Sequence, residues 1–180
     1  MKINKIKLVK NLGEIIVRDG YNHQNCLECF RENEGKNFIF IHEFLTDKKF
    51  SKPTDILKPG DKIHTFVYKL VDTSIREHLK SLHSSSEVIF PGPQGISLVW
   101  EQKGKELDKG DYYLFDKKKT FGKFDGGTRI PNLDIDEEEK PVFSLGFLDL
   151  SFFDLSSEKE LFFFLFLKDN FNVSKLTALL

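Results

Sequence analysis

Two stretches of this 180-residue sequence carry residue types at spacings that could do chemistry. In YNHQNCLECF, His23, Cys26 and Cys29 recur every three residues, which could supply part of the four-ligand set of a tetrahedral zinc site. Such sites usually draw their thiolate and imidazole ligands in two pairs, and the chain has only 2 cysteines. A further ligand would have to be His42, His64, His78, His83 or a carboxylate. The same Cys-x-x-Cys spacing at the mouth of a helix would lower a thiolate pKa and suit redox exchange. Asn22 begins the expected helix about one turn before Cys26, however, and so places both thiols inside it. On a helical wheel His23, Cys26, Leu27, Cys29 and Phe30 fall on one side, with Gln24, Asn25, Glu28, Arg31 and Glu32 on the other. An amphipathic helix ending at Gly35, with two buried free thiols, accounts for the spacing. No metal or other cofactor is expected.

The second stretch is LVWEQKGKEL. Read as a strand, it puts Glu101 and Lys103 on one face, which resembles the arrangement of PD-(D/E)XK nucleases. In that family an upstream acid and the glutamate hold a divalent ion while the lysine positions the attacking water. Glu87 would be the upstream acid, and Asp116 with Lys118 forms a second pair of the same kind. The Pro-Asp that precedes the first acid in that family is missing here. With 31% of residues charged, a Glu-x-Lys triplet also arises readily without a function. A charged hairpin end is the preferred reading, and a small metal-dependent nuclease or hydrolase is the alternative. The sequence contains no Gly-rich phosphate loop and no Gly-x-Ser-x-Gly elbow.

Composition narrows the classes further. The length suits one domain, residues 1–180, with a core large enough to stand without metal or disulfide staples. Lys+Arg 27 against Asp+Glu 28 gives a net charge of -1 and a pI near 6.5, so no nucleic-acid partner is expected. Lysines interrupt the N-terminal stretch, and the apolar run LFFFLFL is far shorter than the roughly 20 residues of a spanning helix. A soluble cytoplasmic protein with no membrane partner is the expectation. The 19 phenylalanines stand beside a single alanine, Ala178, a skew toward strand formers.

The elements follow from periodicity and turn chemistry. INKIKLVK and EIIVRD, flanking Asn11-Leu12-Gly13, read as a hairpin, and KNFIFIHEF as a central strand. LKPGDKIHTFVYKLV gives a Pro-Gly-Asp turn and a strand over Ile63 to Val71. Thr73 to Leu82 has the stripe of a second short helix, through Ile75, Leu79 and Leu82. Val88 to Phe90, ISLVWEQK, DYYLFDKKK and PVFSLGFLDLSFFDL read as strands. ELFFFLFLKD is apolar all round, and an interior strand covered on both faces meets that demand better than a helix does. The fold class is α+β: a mostly antiparallel twisted sheet or open barrel with two short helices.

Between residues 120 and 140 the apolar pattern lapses, and a polar, mobile loop is expected. Phe121, Lys123, Phe124, Arg129, Asp134 and Asp136 there combine aromatic anchors with a charged rim, as a protein-binding patch does. The functional expectation is a non-catalytic interaction protein (an inhibitor, an immunity-protein-like molecule or an assembly subunit) whose partner is another protein. A barrel with a Phe-lined interior holding an apolar ligand is a further alternative.

Overall fold

The computed structural model describes residues 6–21, 40–41, 53–70, 75–114, 123–124, 127–135, 141–147, 161–172 and 176. Of these, residues 40–41, 75–79, 123–124, 127–129 and 144–147 are described by their backbone. In chain order the elements are β1 (Ile6–Ile16), β2 (Phe40–Ile41), β3 (Lys62–Leu70), α1 (Ile75–Ser84), β4 (Val88–Ile89) and α2 (Gln94–Lys103). A 3-10 turn (Gly104–Glu106), β5 (Gly110–Tyr113), β6 (Lys123–Phe124), β7 (Gly127–Ile135), β8 (Pro141–Phe147) and β9 (Leu161–Lys168) follow. The fold is α+β, as the composition indicates.

The sheet runs in the order β1-β3-β9-β5-β7-β8-β2. It is mostly antiparallel; the exceptions among the described residues are the parallel pairs β5–β9 and β2–β8. One side of β9 is lined by β3. Its other side is shared by β5, at Leu161 to Phe163, and β4, at Phe166 and Leu167. The order is open and does not close into a barrel. Among the described residues the sheet therefore does not form the closed barrel that the apolar-ligand reading invokes.

β9 organises two cores because its side chains alternate across the sheet. Phe162, Phe164 and Phe166 join Ile96 and Val99 of α2, with Ile15, Ile63, Tyr112, Leu133 and Phe143. Phe163, Leu165 and Leu167 join Leu82 of α1, with Phe66, Tyr68, Phe90, Ile130 and Leu176. Tyr112 stacks on Phe162 and Phe164 at 5.1 and 5.3 Å, and Tyr68 on Phe163 at 5.6 Å. With helices on both faces, LFFFLFL is buried as a strand.

α2 seats closely on this strand. A Cβ on Gly95 would lie 2.6 Å from Pro91 Cγ and 3.0 Å from Phe166 Cζ. Only glycine lets the first turn of the helix approach the ring. The segment before it is pinned by Asp55, whose carboxylate accepts from the Phe90 N–H (2.8 Å) while its own N–H donates to the Phe90 carbonyl (3.0 Å).

Four local expectations change. The N-terminal hairpin is one 11-residue strand, β1, with register shifts between Leu8 and Lys10 and between Asn11 and Gly13. Gly13 does take a positive φ of 76°, but in a bulge whose N–H donates to Asn11 Oδ1. ISLVWEQK is helical, within α2, rather than a strand. The stretch expected to loop over 120–140 contains β6 and β7, and β7 pairs with both β5 and β8. β2 stands at the end of the strand order among the described residues, not at its centre.

Candidate functional site

Among the described residues, a surface with uncommitted groups lies where β1, at one edge of the sheet, meets the end of α2. Among the described residues β3 is the sole strand neighbour of β1. An edge strand presents outward N–H and C=O groups, and folded proteins generally cover or charge them. At the C-terminal end of β1 that cover is specific. Gln102 of α2 accepts from Ile16 N–H at 3.1 Å and donates to Ile16 C=O at 2.8 Å, so one side-chain amide takes the place of a neighbouring strand. Arg18 Nε meets Glu101 Oε2 at 3.3 Å beside it. Further back, Lys10 Nζ donates to the Glu106 carbonyl and pairs with Asp108 at 3.0 Å.

From Ile6 to Val9 no such cover is present among the described residues. Leu8 and Val9 are 42% and 38% exposed, and the register shift falls at Val9. Leu8 stands opposite Tyr68 of β3 and Val9 is the residue left unpaired at the shift, so this end of the strand displays two adjacent apolar side chains.

Beyond Lys10 the end of α2, the 3-10 turn and residues 107–109 form an open groove of about 1150 Å³ that also touches Ile135. Trp100 and Leu107 pack on the core and supply its apolar side. A Cβ on Gly104 would lie 2.9 Å from the Trp100 ring, so glycine is required for the indole to lie against the backbone there. Tyr112 reaches out of the core to donate to the Asp108 carbonyl at 2.8 Å. Burial first, and the Asp108 charge second, push the Tyr112 hydroxyl up to about 12.

The residues of the nuclease reading are not brought together. Glu101 and Lys103 are two apart on a helix, about 200° around its axis, so they share no face. Glu101 is held by Arg18, and Lys103 pairs with Glu106 at 3.3 Å. Glu87 sits before β4, where its carboxylate meets Ser86 Oγ and its carbonyl receives Lys168 N–H; it does not line the groove. Among the described residues no group of three or more His, Cys, Asp or Glu is arranged to hold a metal ion. No helix among them is long and apolar enough to cross a membrane.

Of the expected partner patch, Arg129 lies in β7 opposite Phe147, and Lys123 and Phe124 form β6. Asp134, half-buried, stands between Asp111 and Val142 in the sheet. Phe121 and Asp136 lie outside the described residues, as do His23, Cys26 and Cys29. Sequence reasoning missed the open edge at Leu8 and Val9 and the groove at Trp100, Lys105 and Lys109. The one visible signal was a lone tryptophan leading into the charged run EQKGKELDKG. Comparison with known protein families, curated proteins and solved structures finds no match to this chain.

Proposed function

We propose that the protein is a non-catalytic binding protein that engages another protein through the open end of β1, in the manner of an inhibitor or assembly subunit. The observation that carries this reading is the contrast along one strand edge. The C-terminal end of β1 is covered by Gln102, whereas Ile6 to Val9 has no such cover among the described residues and displays Leu8 and Val9. Adding a strand to such an edge supplies backbone hydrogen bonds, and exposed apolar side chains beside it supply the rest of the affinity. The setting we propose is the cytoplasm, on the sequence reading alone.

The test is affinity capture with the full chain, comparing the wild type with a Leu8→Asp, Val9→Asp variant. Both positions are exposed, so the variant should keep its urea midpoint. The expected result is a stoichiometric protein partner retained by the wild type and lost by the variant, with slowed amide exchange over residues 6–10 in the complex. A partner held equally by the variant, or no partner at all, would overturn the reading.

A further inference from the structure

The lysines and acids that line the groove beside β1 are equal in number, but Arg18 and Lys10 reach its acids from outside the lining and tip the local balance to positive. Each of its acids has a cation of its own: Glu101 has Arg18, Glu106 has Lys103, and Asp108 has Lys10. Lys105 and Lys109 also line it, are exposed, and make no ion pair or hydrogen bond among the described residues. The groove thus has two cations to spare, set beside an apolar side formed by Trp100, Leu107 and Ile135.

We infer that this groove binds an acidic peptide segment of a partner protein, with Lys105 and Lys109 meeting its carboxylates and Trp100 and Leu107 receiving an apolar side chain between them. Three features favour a peptide over other anions. A volume of about 1150 Å³ exceeds the roughly 300–1,000 Å³ of small-molecule pockets and suits an extended chain. The three carboxylates in the lining would repel a densely charged phosphate polymer, but they tolerate a ligand with spaced charges. The indole and Leu107 offer contact area that only a ligand with apolar groups can use. The inference deepens the proposed function, and rests on it in taking the ligand to be part of a protein.

Trp100 is the sole tryptophan of the chain, so its emission reports on this groove alone. The probe is a short synthetic peptide alternating glutamate and leucine, titrated into the full-length protein. A saturable change in emission is expected, weakened by added salt and by about tenfold in a Lys105→Glu, Lys109→Glu variant, the scale of two exposed charge pairs. Inorganic polyphosphate and a lysine–leucine peptide should leave the emission unchanged. No response to the acidic peptide, an equal response in the charge-reversed variant, or displacement by polyphosphate would each overturn the inference. Partner capture through β1 remains a separate readout. If it survives in the charge-reversed variant while the peptide never binds, the groove assignment alone fails.

Discussion

Gly95→Ala opposes two effects of known size, and the structure says which wins. In an isolated helix the change is favourable by about 0.8–1 kcal/mol, because alanine loses less backbone freedom than glycine. Here the new methyl would lie 2.6 Å from Pro91 Cγ, and 3.0 and 3.1 Å from Phe166 Cζ and Cε2. Neither neighbour is the free end of a flexible chain. Pro91 is a ring on buried backbone, and Phe166 is 1% exposed with Phe164 at 6.2 Å on the same face. Overpacking of that kind costs about 1–3 kcal/mol, so the net expectation is a loss of about 1–2 kcal/mol. For a domain of this length that lowers the thermal midpoint by roughly 2–8 °C. Urea and thermal denaturation followed by circular dichroism would measure it. Combining it with Phe166→Leu should recover at least about 0.5 kcal/mol relative to the sum of the single changes, because the ring is then gone while the Pro91 contact remains. An alanine variant as stable as the wild type would refute the close seating of α2 on β9.

Two further outcomes are expected. Gln102→Leu should remove both hydrogen bonds to Ile16, costing about 1 kcal/mol, and should speed amide exchange at Ile16 while leaving Ile15 on the β3 side protected; unchanged exchange at Ile16 would mean that the amide does not cover the edge. Burial, aided by Asp111 and Asp134, pushes the Tyr113 hydroxyl up to about 12, the level reached by Tyr112, and burial raises Tyr68 well above its ordinary 10.0. The unfolded chain ionises these groups near pH 10 and the folded one does not, so the folded state binds more protons and stability falls as pH rises from 10 toward 12. In a Tyr21→Phe background, which leaves these three as the only tyrosines, alkaline titration of tyrosinate absorbance should therefore stay flat near pH 10 and rise together with unfolding; a reversible step at pH 10 in folded protein would contradict the burial.

What was legible in the sequence was whatever a single element settles by itself. LFFFLFL could be assigned to an interior strand because seven apolar residues in a row demand cover on both faces. The Pro-Gly-Asp turn before β3 and the stripe of α1 were equally local. α2 was not legible, because its start signals are missing: Pro93 occupies the cap position without a side-chain hydrogen bond, and no acid stands in the first turn. Ile96, Leu98 and Val99 then form an apolar run too short to separate strand from helix. β7 was hidden by Pro131, which argues against an interior strand. The Pro131 carbonyl receives Leu114 N–H, so its missing donor also faces the β5 side, one residue past the last paired tyrosine, Tyr113. A proline costs the sheet little at that place, but only the pairing reveals the place.

The candidate site failed to show for a related reason. Its defining contacts join residues 86 apart, Ile16 and Gln102, or 98 apart, Lys10 and Asp108, and neither end looks unusual alone. Their consequence for binding is nonetheless specific. With Ile16 occupied by an amide, Lys10 tied to the 3-10 turn and a register shift at Val9, an incoming strand could follow β1 for only a few residues. So short a ladder yields few hydrogen bonds, each worth about 1 kcal/mol net, against several kcal/mol of lost freedom on association. Backbone pairing alone would then give a weak complex. Under the proposed function, the affinity must come from side chains next to the open edge: Leu8 and Val9 on the strand, and the groove reached across the Lys10–Asp108 pair. A partner segment that pairs with Ile6 to Val9 and carries its acidic, apolar continuation toward Trp100 would use both, and neither half should bind tightly when presented alone.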